Sequence, residues 1–414
     1  TTTDNSRVAL GLFKGNGTHD GSATAKKINT FRVGVLDGYS FSQGSESTDV
    51  TINEAGATPN RGSKRFNDSL PPAEWSFGTY VRPFKHGTNS WRQSGDMDMV
   101  ENILWASISG KDITDGSLTG TSAPSVTVDS TDADVSFERS EHHELLQLSI
   151  FFALENTTYR LNEAQVNQCE IDFSIDGIAQ LTWSGNATTI DQVSTAIEDP
   201  SKTLHAKPSG SDTSVTTATY VEGYNYADST GPDDADYLRN KLSTLTLVAA
   251  AQGGGASSGG LDARTYDINI TGGSITIANN VTYVTPETLG IIDKPIGSFT
   301  GSRQITGNLT CYLDTKSNGS NQLLTDLAGA TDLVSNVFDM SLFMGGASSA
   351  VPVVEFDIPK AHMTVPTIET ADLISTSVEF SAHGTDLLTG DEMTVKYKGL
   401  TSHSDSQYAT DYTV

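Results

Sequence analysis

Apolar and polar residues alternate through Tyr266–Leu313, YDINITGGSITIANNVTYVTPETLGIIDKPIGSFTGSRQITGNLTCYL. Tyr266, Ile268 and Ile270 alternate with Asp267, Asn269 and Thr271, the period of a strand with one buried face. Ile275 and Ile277 resume the alternation after Gly272-Gly273, where a tight hairpin turn or a bulge is expected. Ile305, Leu309, Cys311 and Leu313 line one face of a third strand, and Thr306, Asn308, Thr310 and Tyr312 the other. A long loop with Pro286, Gly290, Pro295 and Gly297 separates the second strand from the third. Leu323, Leu324, Leu327 and Ala328 fall at helical spacing and predict a helix within 321–333. Val354, Phe356 and Ile358 form the next alternating run, and Ile374, Thr376, Val378 and Phe380 another. The expected unit is a small β-sandwich or barrel with one flanking helix, over residues 263–414.

The first half shows the same order of signals. Phe31, Val33 and Val35, then Asp37-Gly38, then Tyr39 and Phe41, parallel the run that starts at Tyr266. A polar loop at 43–72 parallels 279–298, Trp75–Pro83 parallels the strand at Ile305, and a helix expected over 96–106 (Met99, Val100, Ile103, Leu104) parallels the later one. Leu146, Leu148, Ile150 and Phe152 form a strand, followed by Ile171, Phe173 and Ile175, and by Ala179, Leu181 and Trp183. At one common spacing Ala164 is expected to correspond to Ala361, Leu181 to Val378 and Trp183 to Phe380. The fold class read from this is mainly β, with two tandem β domains, each carrying one flanking α-helix and long projecting loops. The expected boundaries are an arm at 1–30, a first domain at 31–190 with an insertion at about 111–140, a linker at 191–262, and a second domain at 263–414. Gly253–Gly260, GGGASSGG, is expected to be a flexible connection.

Three segments carry a resemblance. GSFTGSRQITGNLTCYLD, with the Pro/Gly loop before it and the short helix after it, resembles the tail tube proteins (major tail proteins) of long-tailed siphophages. Ile171–Gly185, IDFSIDGIAQLTWSG, is similar to that family's acidic strand, glycine and strand ending in Trp. Tyr237–Leu247, YLRNKLSTLTL, resembles the approach to a second such domain. The resemblance implies a virion structural protein whose sheets pair between subunits into rings. The rings stack into a tail tube that conducts double-stranded DNA without specific binding. Two domains per chain imply a trimeric ring, with a hexamer of single-domain contributions as the other geometry. The implied partners are further copies of the chain, tail tip or tape-measure proteins and a tail terminator. No cofactor is implied. The implied ring-stacking contacts lie on the two long loops: Glu46, Asp49, Glu54, Asn60, Arg61, Lys64 and Arg65 on one, Thr285, Glu287, Asp293 and Lys294 on the other.

Charge narrows the function. Asp and Glu number 51 against 25 Lys and Arg, a formal net charge of −26. That balance excludes a basic nucleic-acid-binding face and an attraction to anionic membranes, and it suits a conduit that repels phosphate. Cys169 and Cys311 both lie in strand patterns and read as buried thiols, the usual state in a reducing compartment. The first residues, TTTDNSRVALGLFKGNG, lack a basic-then-apolar leader pattern, so synthesis in the bacterial cytoplasm is expected. Asn-x-Ser/Thr triplets at Asn156, Asn269 and Asn308 are ordinary in a Thr-rich chain.

Candidate chemistry is sparse. Glu141-His142-His143-Glu144 invites a metal, yet neighbours on a strand point to opposite faces and no further ligand pattern joins them. His362 and His383 stand isolated among strands. The glycine run lacks the Lys-Ser/Thr ending of a phosphate loop, and no Gly-x-Ser-x-Gly elbow occurs. No catalytic, metal or cofactor residue is assigned, and an enzyme is not expected. A cell-surface, adhesin-like β-sandwich binding module is the alternative reading. A carbohydrate-active enzyme would need paired carboxylates in a cleft with exposed aromatics, and Tyr220, Tyr224 and Tyr226 form the one aromatic cluster that would suit it.

Overall fold

The computed structural model describes residues 6–13, 30–51, 62–86, 97–110, 126–137, 145–154, 157–193, 221–222, 237–286, 294–331, 337–347, 352–365, 367–370, 374–387, 389–399 and 402–403. Strands dominate them, as the alternating pattern requires, with two α-helices among the described residues, α1 (Asn102–Ser109) and α2 (Ser320–Gly329).

Before α1 come β1 (Ser6–Phe13), β2 (Thr30–Val33), β3 (Ser40–Ser42), β4 (Glu46–Thr51), β5 (Ser63–Ser69), β6 (Ala73–Tyr80), β7 (Pro83–His86) and β8 (Met97–Met99). After it come β9 (Val126–Val128), β10 (Ala133–Ser136), β11 (Gln147–Leu154), β12 (Thr157–Asp172), β13 (Gln180–Ala187) and β14 (Thr189–Val193). A two-residue β15 (Val221–Glu222) lies parallel to β2. The second half opens with β16 (Thr244–Ala249), β17 (Arg264–Tyr266), β18 (Ile270–Ala278), β19 (Thr282–Val284), β20 (Gly297–Phe299) and β21 (Gln304–Tyr312). Beyond α2 come β22 (Val337–Met344), β23 (Val353–Met363), β24 (Thr367–Thr370), β25 (Ile374–Ala382) and β26 (Thr394–Lys398). A short β27 (Ser402–His403) pairs with β7, which also pairs with β8.

Two strands organise the rest. The amino-terminal part of β12 pairs with β11 on one side and β14 on the other, while its carboxy-terminal part pairs with β13 and with β18. The change of partners falls beside Glu163, whose φ of 49° is left-handed, and beside a register shift between Leu148 and Ile150. A bulge with a left-handed residue bends a strand sharply enough to leave one sheet and enter another. β23 behaves alike: it pairs with β22 along its length, with β26 at its start and with β25 at its end. Its register shift lies between Phe338 and Met340.

The pairing order of the two halves is the same. In the first, β2, β1, β11, β12 and β14 lie side by side, and β3, β6 and β13 reach the far end of β12. In the second, β17, β16, β22, β23 and β26 lie side by side, and β18, β21 and β25 reach the far end of β23. The hairpin β4–β5 interrupts the first series after β3, and β19–β20 interrupts the second after β18.

Side chains follow the strand period. β6 buries Ala73, Trp75, Phe77 and Thr79, and β13 buries Leu181, Trp183, Gly185 and Ala187. One hydrophobic cluster runs through both halves, from Val33 to Tyr397. All eight residues of α1 are buried, its serines included, since Ser107 donates to the Leu146 carbonyl and Ser109 to that of Trp105. Trp105 on α1 packs edge-on against Trp183 at 5.0 Å between ring centroids and donates its indole N–H to the Tyr397 hydroxyl at 2.8 Å. The Tyr397 hydroxyl donates in turn to Glu101 Oε1 at 2.8 Å, so the last long strand of the second half is tied to the helix of the first. α2 buries only Ser320, Leu323 and Leu327.

Several expectations need correction. Met97–Met99 form β8, and the helix expected over 96–106 begins only at Asn102, because Met97 donates its backbone N–H to the Asp129 carbonyl instead of opening a helix. Gly272 and Gly273 lie within β18 beside a register shift: they make the bulge, not the hairpin turn. Residues 6–13 are not a free arm but a strand between β2 and β11. Thr244–Ala249, placed in the expected linker, pairs with β17 and β22 and belongs to the second sheet system. The glycine run is a closed turn in which Gly260 N–H donates to the Gly255 carbonyl and Ala256 N–H to Asp262 Oδ1. Its left-handed Gly254, Gly255 and Gly259 are required by that path rather than by flexibility. The registers also move two correspondences: Ala164 and Ala361 sit alike, opposite Leu148 and Phe338, but Gly185, not Trp183, occupies the place of Phe380, and Trp183, not Leu181, that of Val378. Within the expected insertion, β9 and β10 form a hairpin that extends the second half through Val135 opposite Val395. The Glu141–Glu144 tetrad, Tyr220, Tyr224 and Tyr226 lie outside the described residues.

Candidate assembly surface

Of the expected contact residues, Glu46, Asp49, Lys64 and Arg65 lie on the hairpin β4–β5. β4–β5 is exposed along nearly its whole length. Arg65 spans across to Asp49 as a two-pronged ion pair, Nε to Oδ1 at 2.7 Å and Nη2 to Oδ2 at 2.9 Å. The guanidinium holds the Asp49 carboxyl below the usual carboxylate range. Glu46 accepts from the Ser69 hydroxyl, and the Lys64 ammonium lies 4.9 Å from the centre of the Phe66 ring. These side chains brace one another on the hairpin and leave Val50 and Phe66 47% and 46% exposed. Exposed apolar side chains on a charged ribbon suit a protein contact.

β19–β20 is anchored differently. The Tyr283 hydroxyl lies 2.7 Å from the Glu163 carbonyl and 2.9 Å from that of Asn186, both on the first half. Burial pushes that phenol well up, so it stays a neutral donor. Ser298 donates to Gln165 Oε1 at 2.6 Å. Beyond these anchors Val284, Ile296 and Phe299 are 41%, 70% and 50% exposed. Thr285 and Lys294 flank the tip, whereas Glu54, Asn60, Arg61, Glu287 and Asp293 lie outside the described residues. Charge and loop length singled out the polar members of both hairpins; the exposed apolar members were missed. Ile296 and Phe299 stand three residues apart and fit no alternation of period two, so the pattern did not mark them.

Sheet edges are the second feature. Among the described residues β3 pairs only with β6, and β24 only with β25. Each leaves a row of backbone donors and acceptors available to another strand.

No arrangement among the described residues suggests catalysis. No group of three metal-ligating side chains forms among them. Cys169 and Cys311 are free and buried, and burial raises both thiols, Cys311 to about 11, which keeps them unreactive. His362 and His383 stand edge-to-face at 6.3 Å, with His383 Nε2 2.9 Å from the Ser381 hydroxyl. No helix among the described residues is long and apolar enough to cross a membrane.

A family model described as phage tail tube protein matches residues 61–382. The chain is 37% identical over 368 residues to the tail tube protein pb6 of Escherichia phage T5, covering 88% of this chain and 70% of that protein. A mainly β chain with projecting hairpins, open sheet edges and this extent of similarity belongs to the phage tail tube protein family.

Proposed function

We propose that copies of this chain assemble into stacked rings that form the tail tube of a long-tailed bacteriophage and conduct its genome to the host. The chain is a structural component of the virion tail and not an enzyme. Family membership leaves the cell-surface binding module without support. The repeated pairing order of the two halves is the observation that carries the finer reading. It supports a duplicated tube domain, two copies per chain, and therefore three chains to a ring with the outline of six lobes. Tail tip, tape-measure and terminator proteins would meet the ends of such a tube.

The hairpins β4–β5 and β19–β20 supply the contacts between stacked rings in this reading, because both project from the same position of the repeated order. The net charge of −26 supports a lumen that does not hold DNA: carboxylates repel phosphate and let the duplex slide. Electron microscopy of the concentrated protein tests the assembly. Tubes are expected from the full chain, and only separate rings or subunits from variants in which either hairpin is replaced by a short Gly-Ser turn. Normal tubes from both variants would refute the role given to the hairpins.

A further inference from the structure

We propose that the edge strand β24 of one subunit adds to the sheet of the next at β3, antiparallel, with Thr367 opposite Ser42, Ile368 opposite Phe41 and Glu369 opposite Ser40. The partner is a second copy of this chain, and the proposal rests on the ring reading above.

The template is a junction inside the chain. The far end of β12 pairs with β18, the strand that opens the second row: Glu170 is opposite Thr276, Ile171 opposite Ile275 and Asp172 opposite Ser274. The same row of strands then runs on, so that among the described residues it begins at β3, passes through β6, β13, β12, β18, β21 and β25, and ends at β24. Among the described residues, its two end strands pair on one side only.

The registers show which residues of those ends match the internal junction. Across the first half, Phe41, Trp75, Gly185 and Val166 stand in one lateral line. Across the second, Ile275, Gly307, Phe380 and Met363 stand in the matching line. Phe41 therefore holds the place of Ile275. On the other side, β12 gains one extra residue against β13 between Val166 and Gln168, and the β23–β24 strand gains one against β25 between Met363 and Thr367. After these matched irregularities Glu170, Ile171 and Asp172 hold the places of Thr367, Ile368 and Glu369. Transferring the internal pairing to the ends gives the stated register. The internal copy of this junction is already filled by the chain itself, so a chain of two repeats has one such junction left to make, and another copy carries the complementary edge.

Strand addition of this kind satisfies backbone groups on both edges. It also fixes register, because a slip of one residue would turn the buried face outward.

The experiment is a disulfide trap. Residues directly opposite across an antiparallel pair have Cβ atoms about 4.5–5.5 Å apart, which a small strand shift brings to the roughly 3.5–4.5 Å of a disulfide, whereas diagonal neighbours are about 7–8 Å apart. The S42C/T367C variant is assembled, oxidised mildly and run on a non-reducing gel. Covalent chains ending in a closed set of three are expected, reversed by reductant, with each single variant and the slipped S40C/T367C pair giving at least about tenfold less product. Buried Cys169 and Cys311 do not compete. Three-fold rings by microscopy without this cross-link, or with the slipped pair preferred, would overturn the junction and leave the ring reading intact. Dispersed unmodified protein that never forms rings would sink both. Should the double variant fail to assemble, amide exchange on the unmodified protein decides. Exchange at residues 40–42 and 367–369 should slow at least about tenfold on tube formation, and unchanged exchange contradicts the junction.

Discussion

Trp75 of the first half lies opposite Gly185 on the neighbouring strand, and in the matching place of the second half Gly307 lies opposite Phe380. A Cβ at Gly185 would meet the Trp75 ring at 2.8 Å, and one at Gly307 would meet the Phe380 ring at 2.5 Å. The slot between the two strands is thus filled by one aromatic ring in each half, delivered from opposite sides. Packing requires a filled volume and is indifferent to which strand supplies it. That is why the two halves share pairing order and bulge positions while sharing few letters. The helices differ more. α1 is wholly buried and touches both halves, through Trp183 of its own and Tyr397 of the other, whereas α2 buries Leu323 and Leu327 and is held through Asp326 to Tyr266 and Arg264 of its own half. The first helix is a structural link between the halves and the second is held by its own.

The sharpest way to break this contrast is at the helices. Trp105→Ala should cost about 3–5 kcal/mol and loosen both halves together, while Leu327→Ala should cost about 2–3 kcal/mol and leave the first half intact. Denaturant unfolding followed by amide exchange reads both. A Trp105 variant that loosens only the first half would contradict the linking role.

The buried Glu101 sharpens the same link through pH. Burial, the largest cause, raises its carboxyl from 4.5 to about 8, against the smaller opposing effect of the Tyr397 hydrogen bond. The folded state therefore holds a proton that the unfolded chain has released. This contribution is fully present below about pH 4.5, falls as pH rises, and is exhausted above about pH 8. Glu101→Gln, which keeps an acceptor for Tyr397, should flatten the pH dependence of stability across that window. An unchanged profile would remove Glu101 from the account.

The aromatic slots offer a smaller test. Gly185→Ala and Gly307→Ala should each cost about 1–3 kcal/mol by overpacking against the facing ring and a backbone carbonyl. Trimming the ring in the same chain (Phe380→Leu with Gly307→Ala) should return part of that loss. Additive losses would mean that the ring and the glycine do not share one slot. Smallest of all, Arg65→Ala breaks an exposed pair and should leave the thermal midpoint of the dispersed protein unchanged. Only tube formation should respond, and an equal effect on both would make the pair structural.

Much of the fold was legible because buried strand faces repeat every two residues. The runs at Tyr266, Ile305 and Val354 in the second half, and at Phe31, Trp75 and Leu181 in the first, each became strands or parts of them. What was hidden depends on pairing. The shift from Trp183 to Gly185 as the counterpart of Phe380 follows from register, which alternation cannot fix to better than two residues. β1 lay in a polar, Gly-rich stretch, and the closed Gly253–Gly260 turn carries the composition of a linker. Neither is visible until its hydrogen-bond partners are known. Of the candidate assembly surface, the two long loops could be placed from their length, though not the hairpins they form. The open edges at β3 and β24 could not, since an edge is a property of neighbours.

The central claim is that one chain carries two tube domains and that three chains close a ring. Two-dimensional averaging of end-on views of assembled tubes, with the mass of single rings measured alongside, tests it most directly. The account predicts six lobes around a central hole, true three-fold symmetry, and a ring mass of three chains. Six equivalent lobes with six chains per ring would contradict it.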